Sequence, residues 1–305
     1  MNKIEKAIIK TLCYFDIFFY PLTKEEIKRY LLEEKATDQE IENSIKNLLE
    51  ERKIEFKENF YYLPGKEELI EERIKRYKIS KKKWRKVKKY LWVFNLIPFI
   101  KFVGICNTLA FNNAKESSDI DLFIVIRKGR IWTSRALLTL VLSILRQRRI
   151  KKRIKDKFCL SFYVTEDNLN LEKIAIPFDI YLIYWTAQIV PILDRRLFPK
   201  FIKENEWIKR YLPNFSFSIN KKFKDRLIII NLLRKIGELI LKGKFGDFIE
   251  KKLGEIQKKK IKKGITDLTL KTAIIANERM LKFHPSDMRE VYKKEFLKRT
   301  KLFLT

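Results

Sequence analysis

Two aspartates one residue apart carry the clearest chemical signal in this sequence. Asp119 and Asp121 follow Ser117 and Ser118 and lead directly into the apolar segment 122–126. Because side chains alternate along a β-strand, we expect both carboxylates on one face of a sheet. Mg²⁺ is commonly held by one or two carboxylates together with the phosphates of a substrate. The pair therefore predicts a divalent-metal site and phosphoryl or nucleotidyl transfer, although Asp-x-Asp alone is also common on solvated strand faces.

The residues upstream of the pair sharpen this prediction. The apolar segment 102–110 is interrupted by Asn107 and Thr108, and ten residues lie between Thr108 and Asp119. This arrangement resembles the signature of the DNA polymerase β-like nucleotidyltransferase superfamily, closely over residues 100–126 and more loosely over 68–195. In that family a Gly-Ser turn holds the triphosphate, and an Asp-x-Asp on the next strand holds Mg²⁺.

The resemblance implies a role for each matching position. Asn107 and Thr108 would bind the phosphates, and Asp119 and Asp121 would hold Mg²⁺ or Mn²⁺. Asparagine in place of glycine is a departure from the family pattern, because it brings a side chain close to the phosphate. Further candidates for nucleotide binding are Ser118, beside the aspartates, and Arg135, for which a salt bridge or solvent is an equal expectation.

The family usually carries a third carboxylate on a later strand. The segment 157–164 is the best candidate strand, and alternation predicts that one of its faces carries Cys159, Ser161 and Tyr163. Since no acid lies on that face, Glu166 beyond the strand end is the candidate catalytic acid, with a solvated loop residue as the alternative. Two metal carboxylates without a base still permit slow transfer, because positioning and metal charge supply most of the acceleration. They also fit an inactive descendant that only binds.

Charge is the next strong feature. The chain has 305 residues and a formal net charge of +30, with 46% hydrophobic and 35% charged residues, which indicates a folded protein with polyanionic partners. Three basic runs, 81–89, 146–155 and 258–263, are candidate RNA or DNA contacts. The alternatives are solvated helix faces or a lysine-rich thermophilic composition.

Other classes of site are disfavoured by composition. Three widely spaced cysteines indicate neither a disulfide framework nor a zinc site, and a single histidine largely excludes His-based metal sites and Ser-His-Asp catalysis. We expect a reducing cytoplasm and no signal peptide. We also expect no membrane partner, since the longest apolar run, 176–193, contains Asp179 and two prolines.

Three regions are predicted along the chain. Residues 1–65 show three helices and a hairpin, with capping boxes at Thr23 and Thr37, and look like a winged-helix module; exposed acids there favour protein contact over DNA reading. Residues 66–195 form the nucleotidyltransferase-like core, entered through a long helix at 66–97. Residues 196–305 are predicted to be a helical domain, with the apolar segment 227–241 buried against other helices.

The predicted fold class is therefore α/β (α+β), a small mixed sheet flanked by a winged-helix module and a helical C-terminal domain. The predicted function is Mg²⁺-dependent transfer of a nucleoside monophosphate from a nucleoside triphosphate to an acceptor hydroxyl. The alternative is a catalytically degenerate regulator that binds nucleic acid. A third hypothesis, one half of a toxin–antitoxin pair, rests only on analogy with similar small transferases.

Overall fold

The computed structural model describes residues 1–217, 228–264, 274–283 and 287–304 as a mixed α/β protein. The strands are β1 (Glu55–Lys57), β2 (Phe60–Tyr62), β3 (Ile100–Ile105), β4 (Ile120–Ile126), β5 (Phe158–Thr165), β6 (Val190–Asp194), β7 (Ile274–Ala276) and β8 (Met280–Phe283). The helices are α1 (Lys3–Asp16), α2 (Lys24–Arg29), α3 (Asp38–Glu50), α4 (Leu69–Leu96), α5 (Asn107–Ala110), α6 (Ile131–Ile144), α7 (Ile180–Ala187), α8 (Phe198–Glu204), α9 (Ile228–Ile240), α10 (Gly243–Gly264) and α11 (Arg289–Leu304). Within these ranges, every helix is too short or too polar to cross a bilayer.

The N-terminal elements follow the sequence closely. The helices α1, α2 and α3 precede the β1–β2 hairpin, as predicted for the first 64 residues. Thr23 and Thr37 each accept a hydrogen bond from the backbone N–H of a glutamate three residues later, and the carboxylate of that glutamate accepts one from the backbone N–H of the threonine. Both predicted capping boxes are therefore confirmed, and each satisfies backbone donors that a helix start would otherwise leave unpaired.

The central sheet has six strands in the order β6-β3-β4-β5-β8-β7. The β4–β5 pair is parallel and the others are antiparallel. One face packs against α7, α8 and the N-terminal helices through Phe102, Phe123 and Phe162. The other face packs against α4 and α6 through Ile124 and its neighbours. The predicted strands at 122–126 and 157–164 are confirmed as β4 and β5, and each strand of this buried sheet is largely apolar on both faces.

The prediction of helices throughout 196–305 is wrong for the β7–β8 hairpin. In this hairpin β8 pairs with β5 and β7 pairs with β8, so the two strands extend the central sheet on one side. Strands of three and four residues are too short to show a clear alternating pattern. They are therefore specified by their pairing with neighbouring strands in the sheet. The C-terminal third therefore contributes to the sheet as well as covering it.

The predicted burial of the apolar segment 227–241 is also wrong. Its helix, α9, contacts α4, yet Ile228 is 83% exposed and Leu239 is 73% exposed. The sequence is apolar enough for a core helix, but the polar side of α9 is the side turned to the protein.

Candidate functional site

Asp119 and Asp121 project together from the start of β4. Their carboxylate oxygens and the Sγ of Cys159 all lie within 4.8 Å of one another. The parallel pairing of β4 with β5 produces this cluster, because it places Asp121 directly beside Cys159. The predicted shared face of the two carboxylates is confirmed, and the thiol stands on the neighbouring strand as a third ligand atom.

A β-bulge in β5 shapes this corner of the sheet. Between the pairs Asp121–Cys159 and Phe123–Phe162, β4 advances two residues and β5 advances three. The Cys159 thiol contacts the Ser161 hydroxyl, at 3.3 Å, on the face that alternation predicts, whereas the extra residue sends Tyr163 to the opposite face. The predicted common face of Cys159, Ser161 and Tyr163 is therefore wrong for Tyr163, because a bulge reverses the alternation that follows it.

The turn after β3 lies next to the aspartates and has the backbone shape that favours glycine. Asn107 opens the short helix α5 with φ of 57°, in the left-handed region where asparagine is tolerated better than most residues. Its Oδ1 accepts hydrogen bonds from the Tyr181 hydroxyl, at 2.8 Å, and from Trp185 Nε1, at 2.7 Å. The same side chain hydrogen-bonds Asp121. Asn107 thus fills the turn and links the Asp121 carboxylate to α7.

A cavity of about 280 Å³ opens beside Asp121. The turn residues Asn107 and Thr108 form part of its wall, and α1, α4, α7 and α11 contribute further side chains to it. A neighbouring cavity of about 190 Å³ shares several of these residues and extends toward β8. The side chains common to both cavities are Asn107, Tyr181, Trp185 and Tyr292. Asp121 therefore lines a cavity that is open to solvent, and Asp119 lies beside it without belonging to either cavity wall.

The surroundings of Asp119, Asp121 and Cys159 affect their charged forms differently. Burial, together with the neighbouring Asp119 charge, raises the pKa of Asp121 to about 6, even though bonds from Asn107 and Cys159 oppose this. Asp119 pairs with Arg149, whose Nε lies 2.9 Å from its Oδ2. Burial and the two carboxylates raise the pKa of Cys159 to about 12, so the thiol is protonated near neutral pH. Two crowded carboxylates gain most from a divalent cation, since it offsets the repulsion that raises the Asp121 pKa.

Glu166 is not brought to this cluster. It follows the far end of β5, about 20 Å from Cys159 at roughly 3.3 Å per residue. Its carboxylate lies 3.9 Å from Lys101, and its neighbour Asp167 bonds to Arg279. The strand direction explains the separation. Because β4 and β5 run parallel, the start of β5 lies beside the aspartates at the start of β4, and Glu166 follows the other end of β5.

Ser118 and Arg135 also lie apart from the cavity walls. The Ser118 hydroxyl donates to the Lys115 carbonyl, at 2.8 Å, and stabilises the loop before Asp119. Arg135 belongs to α6 on the opposite face of the sheet, where it bonds to Gln257 and lies 4.8 Å from the centre of the Phe283 ring. Thus, of the seven predicted site residues, Asn107, Thr108, Asp119 and Asp121 come together, and the other three do not.

Two basic runs meet beside the site. In run 81–89, Lys83 is buried and its amine bonds to the Ser118 carbonyl, at 2.8 Å, and to Asp156. Burial, followed by the nearby Lys157 and Lys83 charges, lowers the pKa of Lys86. Run 146–155 contributes the half-exposed Arg149 that pairs with Asp119. Run 258–263 lies on α10 and packs with α6 on the other face.

Sequence reasoning missed several residues of the site. In the sequence, Arg149 is one of several cations in the basic run 146–155, and nothing singles it out. Cys159 lies on a predicted strand face that carries no acid, so it was not a candidate. Tyr181 reaches Asn107 from α7, more than seventy residues away along the chain, and no local pattern indicates that contact. Comparison of this chain with protein-family models, curated proteins and solved structures found no match.

Proposed function

We propose that this protein binds a nucleoside triphosphate with Mg²⁺ or Mn²⁺ at Asp119 and Asp121 and transfers a nucleotidyl group to an acceptor hydroxyl. The observation that carries the proposal is the convergence of both carboxylates with the Asn107–Thr108 turn beside one cavity. The spacing that resembles the polymerase β-like signature supports the same function.

The donor set fits a divalent cation. Two carboxylates within 4.8 Å of one another supply the hard oxygen ligands that Mg²⁺ and Mn²⁺ prefer, and the protonated thiol of Cys159 adds only a weak third group. A bound cation would neutralise charge on the transferred phosphate. The chain's own groups would position the substrate, because Thr108 of the turn and Lys115 both lie on the cavity wall and would be available to its phosphates.

The adjoining basic surface supports a polynucleotide as acceptor. Lys83 of run 81–89 contacts the loop before Asp119, and Arg149 of run 146–155 contacts Asp119 itself, so each run places one cation beside the site. Backbone phosphates of RNA or DNA are the partners that such a surface attracts, with an affinity that falls steeply with salt.

Two observations favour a second candidate, a binding protein without turnover. The ligand cluster in the described residues contains a thiol where an active enzyme of the resembled family would carry a third carboxylate. In addition, Arg149 already neutralises Asp119, and Asn107 fills the turn. Such a protein would bind the metal and the triphosphate, or the polynucleotide alone, as a regulator.

Label transfer separates the two candidates. Purified protein is incubated with each α-³²P-labelled triphosphate, Mg²⁺ or Mn²⁺, and total RNA or protein. Transfer that is lost in Asp119→Ala and Asp121→Ala, but retained in the distant Asp167→Ala, supports the enzyme. Metal-dependent triphosphate binding without transfer supports the regulator. Absence of both activities would refute the metal–nucleotide site itself.

A further inference from the structure

Helix α9 exposes its apolar side and turns its polar side to the protein. Seven aliphatic side chains on it are between 46% and 83% exposed: Ile228, Ile229, Leu232, Leu233, Ile236, Leu239 and Ile240. At 100° per residue they cover roughly 140° of the helix circumference as one uninterrupted stripe. We call these seven residues the α9 stripe. Monomeric proteins seldom leave so large a contiguous apolar surface in water without a function for it.

Specific contacts fix this orientation of the helix. Arg234 is buried and bonds to Glu238, at 2.6 Å, and Glu238 in turn accepts a hydrogen bond from the Phe99 backbone, at 3.1 Å. Gly237 packs so closely on Pro98 that a Cβ there would lie 2.9 Å from the proline ring. These contacts anchor the polar side to the start of β3, so turning the stripe inward would break them and remove the buried partner of Arg234.

Positively charged side chains lie at the edge and at the C-terminal end of the stripe. Lys235 is exposed at its edge, and Lys242 and Lys244 are exposed just after the helix. The single acid of the helix, Glu238, is turned to the protein. An apolar face bordered by lysine and arginine is typical of helices that lie on anionic membrane surfaces.

Charge and composition favour a lipid surface over a protein partner. Pairing two stripes would bring together two molecules that each carry a net charge of +30. Protein interfaces concentrate their binding energy in aromatic and arginine side chains, whereas the stripe contains only isoleucine and leucine. A bilayer requires no hydrogen-bonding group from its apolar face, and anionic headgroups complement the surrounding cations.

We propose that α9 lies in the headgroup region of an anionic membrane, with the α9 stripe among the acyl chains and the flanking cations at the phosphates. This attachment is peripheral and differs from a span, which α9 with its 13 residues is too short to form. The proposal goes against the expectation from sequence that no membrane is contacted, and that expectation stays a prediction. The inference does not depend on the proposed metal site, since α9 packs on the opposite side of the sheet through α4.

Vesicle sedimentation tests the proposal with the full chain. The probes are phosphatidylcholine vesicles with and without about one third phosphatidylserine. We expect the wild type to bind only the phosphatidylserine vesicles. The variant Leu232→Gln/Ile236→Gln should weaken binding by about tenfold or more, because polar groups replace two side chains that would enter the acyl region. Lys242→Glu/Lys244→Glu should weaken it as well and reduce its dependence on salt.

Matched controls separate membrane binding from loss of structure. The substituted side chains are exposed, so thermal melting should stay at or above the wild-type temperature. Val291→Gln/Leu297→Gln changes two exposed apolar residues of α11 and should bind vesicles as the wild type does. The proposal is overturned if the wild type ignores phosphatidylserine vesicles, or if the stripe variant binds them equally well. A wild-type dimer in solution that the stripe variant dissociates, without vesicle binding by either, would assign the stripe to a second copy instead.

Discussion

Replacing Asp121 with asparagine should stabilise the metal-free protein while removing its metal site. The pKa of Asp121 is raised from 3.8 to about 6, chiefly by burial and next by Asp119. At 1.36 kcal/mol per unit, this shift of about two units corresponds to at most about 3 kcal/mol. Because the cavity admits solvent and the two acids titrate together, we expect a gain of about 1–2 kcal/mol in unfolding free energy at pH 8.

The pH dependence of this gain has a defined sign. A carboxyl whose pKa is higher in the folded state than in the unfolded chain destabilises the fold when it is ionised. The loss of unfolding free energy caused by Asp121 is complete above pH 6 and shrinks as the pH falls. It vanishes below about pH 4, where the carboxyl is protonated in both the folded and the unfolded chain. The advantage of Asp121→Asn should therefore be largest at pH 8 and small near pH 4.

Asp167 provides a control of opposite sign within the same chain. Although burial opposes the change, bonds from Thr165, Arg279 and Lys128 lower its pKa to about 2. Its ionised form therefore stabilises the fold, and this contribution is present above about pH 4 and is lost as the pH falls through 2. Asp167→Asn should cost about 1 kcal/mol, equally at pH 8 and pH 5.

Urea titrations in EDTA, at several pH values between 4 and 8, measure both variants. The reasoning is refuted if Asp121→Asn destabilises the protein at pH 8, or if its effect does not vary with pH. Repeating the titration with Mn²⁺ adds a second readout, because the metal should stabilise the wild type at pH 8 and leave the Asp121→Asn variant unchanged.

Three further substitutions test individual contacts. Cys159→Asp places a third carboxylate beside the pair and should raise nucleotidyl transfer in the labelling assay by about tenfold or more; an unchanged rate would argue against a transferase site. Asn107→Gly keeps the left-handed turn but removes the bond from Tyr181, so triphosphate affinity by calorimetry should rise several-fold while stability falls by about 1 kcal/mol; weaker binding would show that the asparagine itself holds the ligand. Gly104→Ala brings a Cβ within 2.5 Å of the Ile189 side chain and should cost about 1–3 kcal/mol in urea titrations, and a neutral result would mean that the edge of the sheet adapts freely.

Local patterns predicted those parts of the structure that local physics specifies. The capping boxes at Thr23 and Thr37 and the shared face of Asp119 and Asp121 depend only on neighbours along the chain, and all of them are confirmed. The positive φ of Asn107 likewise agrees with a position that the resembled family fills with glycine.

The remaining features depend on long-range pairing. The bulge that turns Tyr163 to the other face arises from the register of β5 on β4, which no single strand encodes. The position of Glu166 follows from strand direction, since a residue near Asp119 along the sheet must come from the start of β5. Helix α9 shows the same limitation, because apolar content alone does not reveal that Arg234 and Glu238 anchor its polar side.

The affinity for a nucleoside triphosphate with Mn²⁺, measured by calorimetry, tests the central claim most directly. We predict metal-dependent binding to the wild type, at least about tenfold weaker binding in Asp119→Ala and in Asp121→Ala, and unchanged binding in Asp167→Ala. Equal affinity in all four proteins, or binding that is indifferent to the metal, would contradict the assignment of the aspartate pair as a metal–nucleotide site.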